Sequence, residues 1–501
     1  MKFFLFTFFL PLLVASICGC STPLRTIPQR PAPLENEGDS VAIIHEIIDS
    51  QSCRNIAYHQ VPGLPFLRLN RFWQSQTNHP LSAETLALLL KVAREFDSKS
   101  VAGEISCLDS TSKSQLADRL SLNNSSTASI LEQYEAGARI LLRHHLTDPS
   151  QLLEALRDAK VPDNYSTTYR VLGLYPLIAP VFTLAVVDAY EERESWLQRP
   201  ESELLNDGDW RLYSLMDDAP LSMAQAGELI RQTSSNPLGV PLPDEHQAQL
   251  LAATYAPTLI QQEETGADLW GRVDHNGNAP HIVTEEPTFY YYLDHGLRAG
   301  QPFLRINYVN WYPERTGEKT PWFEHGAFDG LTIGVSIDDS GQPFLLQVMN
   351  NCGCYLQYFP AVDSGLESRD VPWAPDPLLA QTLPKWDERH KPTIAINAGW
   401  HQVERLLKRE PELERTGTYR LLPYKLLEQI PLSGGQSISL FDSQGVLPGS
   451  ERIERFFFFP MGIPSVGSMK QRGHQPITLV GRAHYDDADW LDYPFSVKPR
   501  H

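Results

Sequence analysis

Apolar residues recur every three or four positions along much of the first half of the chain. The spacing is clearest in Leu86–Phe96 and Ile130–Leu141. Side chains with this spacing share one face of an α-helix, so residues 41–264 are predicted to be mainly helical. At 148–151 the sequence Asp-Pro-Ser-Gln supplies a capping residue, a proline at the first helical position and a glutamine three residues after the cap. This combination predicts that a helix begins there.

One stretch of the helical region, Val171–Val187, contains no charged residue and is bounded by Arg170 and Asp188. It is at the short limit for a membrane span, and Pro176 and Pro180 interrupt it. We therefore predict a buried core helix or a pair of helices at this position. Contact with a membrane or a partner is the alternative.

After about Trp270 the pattern changes to short aromatic and β-branched runs separated by Gly, Asp and Ser, which is typical of β-strands. Two hairpins are predicted, and the segments to be paired are Phe289–Leu293 with Phe303–Trp311 and Leu331–Ile337 with Pro343–Met349. Later strands are predicted at Thr393–Ile396, Ser437–Phe441, Phe456–Phe459 and Ile477–Val480.

Helices that run together, followed by strands that run together, indicate an α+β protein. We predict an N-terminal mainly helical domain over residues 41–268 and a C-terminal antiparallel β-rich domain over residues 269–501. The length of the chain, 501 residues, supports more than one domain because single hydrophobic cores stop growing well below this size.

The first twenty residues follow a separate pattern. Lys2 precedes an apolar run from Phe3 to about Ser16, and the run is followed by Ile17-Cys18-Gly19-Cys20. This arrangement resembles a bacterial lipoprotein signal peptide, with a positive start, a short apolar core and a small residue directly before a cysteine.

The resemblance implies that residues 1–19 are removed and that Cys20 carries lipid. Cys18 is disfavoured as the lipidated residue because the bulky Ile17 precedes it. Ser21 follows the pattern of lipoproteins that are exported to the outer membrane. We therefore expect a lipid-anchored protein of the cell outer membrane that faces the periplasm, with the bilayer as a partner through acylated Cys20.

Residues 20–40 combine four prolines with acidic residues and offer almost nothing to bury, so they are predicted to form a tether with a reach of ~60 Å. Without residues 1–19 the chain has 41 basic and 61 acidic side chains, a formal charge of −20. This charge argues against nucleic acid as a partner. It also predicts that the folded part stands off from anionic headgroups and contacts the membrane only through lipid.

Four cysteines remain after the signal peptide and Cys20 are set aside. Cys53 and Cys107 are predicted to form a disulfide, which is worth roughly 4 kcal/mol in the chain-entropy model. Cys352 and Cys354 are too close in sequence to stabilise much. They are a local disulfide, a pair of small buried residues or metal ligands.

The HExxH, Walker, GxSxG and CxxCH signatures are absent, so no familiar reaction is indicated. The residues that could bind a divalent transition metal such as zinc lie in the β-rich region: His325, Asp329, His401, Glu404, Cys352 and Cys354. Loops at one end of a rigid sheet would have to bring His325 and His401 to one ion. His401 and Glu404 are predicted at the start of a helix, where a surface ion pair is the alternative.

Alternation along Phe303–Trp311 places Arg305 and Asn307 on a face with large apolar residues. Such a face is either an exposed surface of the sheet or the lining of a pocket that binds a polar substrate.

Two functions remain open from the sequence. The first is a membrane-anchored, metal-dependent hydrolase that acts on an envelope or periplasmic substrate. The second is a non-catalytic envelope lipoprotein that binds a partner protein, a glycan or lipid. The sequence leaves open whether the protein is an enzyme.

Overall fold

The computed structural model describes residues 39–78, 80–217, 220–369, 378–387 and 390–497. The predicted signal peptide, the predicted lipidation site Cys20 and nearly all of the predicted tether lie outside these residues.

The described residues contain helices in both halves of the chain, most of them in the first. The helices are α1 Asp39–Ser50, α2 Arg71–Ser75, α3 Ala83–Cys107, α4 Ser110–Arg119, α5 Thr127–His145, α6 Pro149–Asp158, α7 Thr167–Leu172, α8 Tyr175–Leu197, α9 Glu201–Asn206, α10 Met223–Thr233, α11 Glu245–Thr254 and α12 Arg455–Phe458. As predicted, α6 begins directly after Asp148, whose carboxylate accepts the backbone N–H groups of Ser150 and Gln151.

The strands are short at the start of the chain and longer after residue 288. They are β1 His59–Val61, β2 Leu64–Leu69, β3 Trp210–Leu215, β4 Thr258–Gln262, β5 Arg272–His275, β6 Pro280–Val283, β7 Thr288–Arg298, β8 Gln301–Val309, β9 Tyr312–Arg315, β10 Gly326–Asp329, β11 Leu331–Ile337, β12 Pro343–Asn350, β13 Gln357–Pro360, β14 Leu366–Ser368, β15 Thr393–Ile396, β16 Val403–Leu407, β17 Arg415–Pro423, β18 Ile430–Pro431, β19 Ser437–Ile438 and β20 Phe495–Val497.

The central element is a ten-stranded sheet with the order β13-β12-β11-β8-β7-β17-β3-β4-β15-β16. Antiparallel pairs predominate, and β7–β17, β17–β3 and β4–β15 are parallel. The α+β prediction is confirmed. The sheet also crosses the predicted domain boundary at residue 268, because β3 and β4 come from the first half of the chain.

The N-terminal helices enclose a core of their own that contains one buried ionic group. Both terminal nitrogens of Arg68 lie 2.9 Å from the carboxylate of Glu104, and its Nε lies 3.1 Å from Asp97 Oδ1. All three side chains are buried, so each charge depends on the others. The predicted disulfide between Cys53 and Cys107 is confirmed, with Cα atoms 5.8 Å apart.

Both predicted hairpins are confirmed as β7–β8 and β11–β12. Of the later predicted strands, Thr393–Ile396 forms β15, whereas only the first two residues of Ser437–Phe441 are a strand. The prediction for Phe456–Phe459 is wrong, because this aromatic run forms α12 and a 3₁₀ turn. Ile477–Val480 forms no strand either, and only an isolated bridge at Pro476 precedes it.

The face of β8 that carries Arg305 and Asn307 is neither exposed nor open to a substrate. The segment around Tyr485 covers it, and both side chains are fully buried. Arg305 forms a two-point ion pair with Asp294, at 2.8 and 2.5 Å, and lies over the ring of Tyr485. Asn307 Oδ1 accepts a hydrogen bond from the Tyr485 hydroxyl at 2.9 Å. These residues pack the sheet against the C-terminal segment, and we do not retain them as a pocket.

The uncharged stretch Val171–Val187 forms a pair of helices, as predicted, but it is not buried. It comprises the end of α7 and the first half of α8, and only Gly173 and Ala179 in it are buried. Across the described residues, no helix is long and apolar enough to cross a membrane. The stretch therefore places apolar side chains on the surface of the protein.

Candidate functional site

A cluster of buried charges lies at the edge of the large sheet where β4, β8, β12 and β15 end. We call it the charged cluster, and its members are Asp268, Arg315, Glu324, Asp329 and His401. Each side chain is at most 2% exposed. They come from five separate loops, turns or short strands, so the cluster joins parts of the chain that are distant in sequence.

Arg315 is the centre of the cluster. Its Nε and Nη2 atoms donate to the two oxygens of Asp329 at 2.9 and 2.8 Å, and Nη1 donates to Glu324 Oε2 at 2.8 Å. The planar guanidinium suits this geometry, because it presents parallel donors to a carboxylate.

His401 lies between two carboxylates. Its Nδ1 is 2.8 Å from Asp329 Oδ2, and its Nε2 is 3.3 Å from Asp268 Oδ1. The imidazole stacks on the ring of Tyr312, with ring centroids 3.8 Å apart. The hydroxyl of Tyr312 in turn donates to Gln261 Oε1 on β4. The ring of His401 is therefore held by a hydrogen bond at Nδ1, by a longer charge contact at Nε2 and by stacking on one face.

These contacts decide the protonation of the cluster. Burial alone would lower the pKa of His401, but its contacts with Asp268 and Asp329 raise that pKa above its ordinary value. Burial alone would raise the pKa of Asp329, but Arg315 and His401 hold it well below its ordinary range. These contacts therefore favour the protonated form of His401 and the ionised form of Asp329.

Two further contacts close the cluster. The indole N–H of Trp400 donates to Glu324 Oε2 at 3.0 Å, and the hydroxyl of Tyr355 donates to Glu324 Oε1. Arg452 donates to the backbone carbonyls of Glu324 and Phe328. These two hydrogen bonds fix the loop. A Cβ at Gly326 would lie 2.8 Å from Arg452 Nη1, so a larger residue there would displace this guanidinium.

The backbone around the cluster carries strain. Among the described residues, eight non-glycine residues have positive φ, and three of them, Phe328, Tyr355 and His401, border or belong to the cluster. Left-handed backbone is costly for residues with large side chains, so the surrounding contacts must hold these residues in place.

The structure brings together only part of the predicted metal site. Asp329 and His401 are in contact, whereas His325 is exposed and its Nε2 lies 3.1 Å from the carbonyl of Thr320. Glu404 lies 3.6 Å from Arg199 instead, and the helix expected at 401–404 is absent because Val403–Leu407 is a strand. In the described part of the chain, no three His, Cys, Asp or Glu side chains are grouped so as to hold a metal ion. The predicted zinc-type site is therefore not carried further.

The remaining two candidates, Cys352 and Cys354, are free thiols directly beside the cluster. They lie in the turn after β12, and Arg315 lowers the pKa of Cys352 through its charge. The backbone N–H of Cys354 donates to the Cys352 sulfur at 3.4 Å. They face each other and do not join the carboxylates as ligands.

Sequence reasoning did not single out Asp268, Tyr312 or Arg315. A local signal exists only for Asp268, because it ends a Thr-x-x-Asp capping box that begins at Thr265. Tyr312 and Arg315 carry no such signal, because the residues that they contact lie on segments that meet only in the folded protein.

A second feature lies on the surface formed by the α7–α8 helix pair and α12. Eight apolar side chains here are between 37% and 71% exposed. We call them the apolar surface: Val171, Leu172, Leu174, Leu177, Val181, Leu184, Phe456 and Phe457. Phe182 on α8 packs on Phe458 at 5.1 Å between ring centroids, so α12 lies against α8. At its margin, the exposed Trp322 lies 6.1 Å from the ring of Phe457.

The two features differ in what they can do. The charged cluster excludes solvent and fixes the five loops, turns and short strands that supply its members, so its geometry serves to hold the end of the sheet together. The apolar surface exposes several large apolar side chains to water on neighbouring helices, which is typical of a site that binds another apolar surface. Comparisons of the chain with protein-family models, with curated proteins and with solved structures find no match.

Proposed function

We propose that the protein is a lipid-anchored envelope lipoprotein that holds its folded part against a phospholipid bilayer through the apolar surface. The metal-dependent hydrolase interpretation receives no support, because both ring nitrogens of His401 face carboxylates. The non-catalytic interpretation is favoured by one observation, the exposed apolar face of α8.

That face has the regular spacing of a binding helix. Leu177, Val181 and Leu184 recur at intervals of four and three residues, so they share one side of α8. Fully burying a side chain of this kind contributes about 1.5–3 kcal/mol. Several such side chains give a useful affinity for an apolar medium, even when each is buried only in part.

Three arguments favour a bilayer as the occupant. First, Cys20 precedes the first described residue by only nineteen positions, and an extended tether of that length reaches ~60 Å. An anchored protein would therefore keep the apolar surface within reach of the same membrane. Second, the uncharged part of α8 spans ~20 Å, which is too short to cross ~30 Å of hydrocarbon but suits a helix that lies in the interface.

Third, the composition of the surface fits the membrane interface. Trp322 stands at its margin, and tryptophan is enriched where the apolar core of a membrane meets its headgroups. The formal charge of −19 gives no attraction to anionic lipid, so the contact must depend on apolar insertion. This revises the expectation that the folded part touches the membrane only through its lipid.

The test uses the mature chain with Cys20→Ser, which removes the acyl anchor, and vesicles of zwitterionic phosphatidylcholine. We expect the protein to float with the vesicles on a density gradient. The triple variant Leu177→Asp, Leu184→Asp and Phe456→Asp should lose flotation, because charges at these positions oppose insertion. The matched control is Met216→Asp with Val362→Asp, two exposed apolar residues outside the apolar surface.

The proposal would be wrong if the Cys20→Ser chain stays with the unbound fraction, or if the control pair abolishes flotation equally. A dimer that forms with rising concentration and disappears in the triple variant, without flotation, would identify a second copy of the chain as the occupant instead.

A further inference from the structure

The turn that follows β12 brings two thiols together. Gly353 N–H donates to the carbonyl of Asn350 at 2.8 Å, and Asn350 N–H donates to the carbonyl of Cys354 at 3.0 Å. Gly353 has φ +93°, and a Cβ at this position would lie 2.3 Å from the carbonyl oxygen of Pro476. Glycine is thus required here, and the closed turn lets the Cys354 thiol donate to the Cys352 sulfur.

Two fixed cations act on this pair. Arg315 is held by the charged cluster, and Lys470 is held by hydrogen bonds to the carbonyls of Ser465 and Ser468 at 3.0 and 3.1 Å. Burial alone would raise the pKa of Cys352, but the Cys354 thiol, Arg315 and Lys470 lower it to about 6. The pKa of Cys354 is raised, first by its hydrogen bond to Cys352 and then by burial. One thiolate and one thiol therefore share a proton.

The two sulfurs also differ in access. Cys352 is 2% exposed, whereas Cys354 is only partly buried. Of the two cysteines, only Cys354 thus offers appreciable surface to an external molecule. This division of roles matches a dithiol in which one sulfur meets the partner and the other resolves the intermediate.

We propose that Cys352 and Cys354 form a redox-active dithiol that exchanges with external disulfides through Cys354. The proton of Cys354 passes to the Cys352 thiolate, and Cys354 attacks one sulfur of a disulfide R–S–S–R. That S–S bond breaks, a mixed disulfide forms at Cys354, and the first RS⁻ leaves and takes up a proton. Cys352 then loses its proton and attacks the Cys354 sulfur, which releases the second RSH. In sum, the dithiol is oxidised to one disulfide and R–S–S–R is reduced to two RSH.

A disulfide that only stabilises the fold would resist reduction, unlike a redox-active disulfide. A disulfide between residues two apart closes a small ring, and strained disulfides are the more easily reduced ones. A structural disulfide such as Cys53–Cys107 closes a loop of 54 residues and should stay oxidised under the same conditions. The Cys53–Cys107 disulfide thus provides an internal control for the Cys352–Cys354 pair.

The test equilibrates the folded chain in glutathione buffers from fully reduced to fully oxidised, stops exchange with acid, and counts free thiols with a maleimide label after denaturation. We expect two thiols to disappear together on oxidation and to reappear on reduction, while Cys53 and Cys107 stay unlabelled throughout. Mass spectrometry should place the loss of two hydrogens in the peptide that contains both Cys352 and Cys354.

Variants test which sulfur reacts first. Cys352→Ser should accumulate glutathione on Cys354, whereas Cys354→Ser should react at least tenfold more slowly. The proposal is overturned if the wild-type thiols stay free in fully oxidised glutathione, if they stay paired in fully reduced glutathione, or if Cys354→Ser captures glutathione as fast as Cys352→Ser. The wild-type titration uses no variant, so it still tests the proposal if a variant fails to fold.

Discussion

At the scale of single residues, Asp329 carries the most consequence, because its carboxylate pairs with both Arg315 and His401. Asp329→Asn keeps the shape of the side chain but removes its negative charge. The buried cations Arg315 and His401 then have one counter-charge fewer. Removing one partner of a buried ion pair typically costs about 3–5 kcal/mol, so we expect a loss of this size in the free energy of unfolding. Urea denaturation followed by tryptophan fluorescence measures it.

The control for Asp329 is Glu228→Gln, which breaks an ion pair with Arg231 on the exposed side of α10. This pair is open to solvent, so its loss should leave the urea midpoint close to that of the wild type. A change for Asp329→Asn no larger than the change for this control would show that the charged cluster contributes little to stability.

The same residues show where sequence reasoning reaches its limit. Asp329 and His401 stand out in the sequence by residue type, and the structure places them in contact. Glu404 was paired with His401 on the assumption of a helix, but the strand Val403–Leu407 sends the two side chains to different partners. Arg315 gave no signal, because its partners are supplied by segments that meet it only in the folded protein.

At the scale of elements, the contact between α1 and α5 makes stability depend on pH. His45 on α1 is buried between the Tyr134 hydroxyl on α5 and the carbonyl of Pro65. Burial, aided by Arg54 and Arg68, lowers its pKa from 6.5 to about 2. The unfolded chain binds a proton below pH 6.5 that the folded chain does not bind, so this contribution to stability is present above pH 6.5 and is lost as the pH falls toward 2.

We therefore predict that His45→Gln makes the protein less sensitive to acid. Each pH unit below 6.5 costs the wild type about 1.4 kcal/mol at this residue, so between pH 7.5 and pH 4.5 it should lose about 2–3 kcal/mol more than the variant. Chemical denaturation of both proteins at the two pH values measures the difference. Equal losses would mean that His45 is protonated in the folded state or that α1 detaches first.

Regular sequence patterns predicted several helices and strands correctly. Two apolar stretches show why other predictions were wrong. Hairpins and capped helices depend on local spacing and turn residues, so β7–β8, β11–β12 and α6 were predictable. The run Phe456–Phe459 has strong β propensity, yet it is helical where it packs against the α7–α8 pair. The stretch Val171–Val187 is apolar enough for a core, but no part of the described chain covers its outer face. Composition alone cannot distinguish a buried helix from an exposed binding helix.

At the scale of the whole molecule, the large sheet makes the two halves of the chain depend on each other. β3 and β4, from the helical half, lie between β17 and β15 of the second half. Removing them would expose both neighbouring strands along their edges and divide the core that lies between the sheet and α10–α11. The sequence predicted a helical first half and a β-rich second half. It did not predict that β3 and β4 join the sheet of the second half, because the pairing of β3 with β17 joins residues about 200 positions apart.

This arrangement predicts that residues 39–268 and 269–501 do not fold as independent domains. The second fragment alone would carry β17 and β15 without their partners β3 and β4, so we expect it to aggregate or to lack a cooperative unfolding transition. Expressed together, the two fragments should associate, because the missing strands and the buried face of α10–α11 are then restored. Gel filtration and near-ultraviolet circular dichroism of the separate and co-expressed fragments measure this, with the intact chain as the control. A 269–501 fragment that is monomeric and unfolds cooperatively on its own would show that the parallel pairs of β3 and β4 are dispensable, and that the predicted boundary at residue 268 divides two true domains.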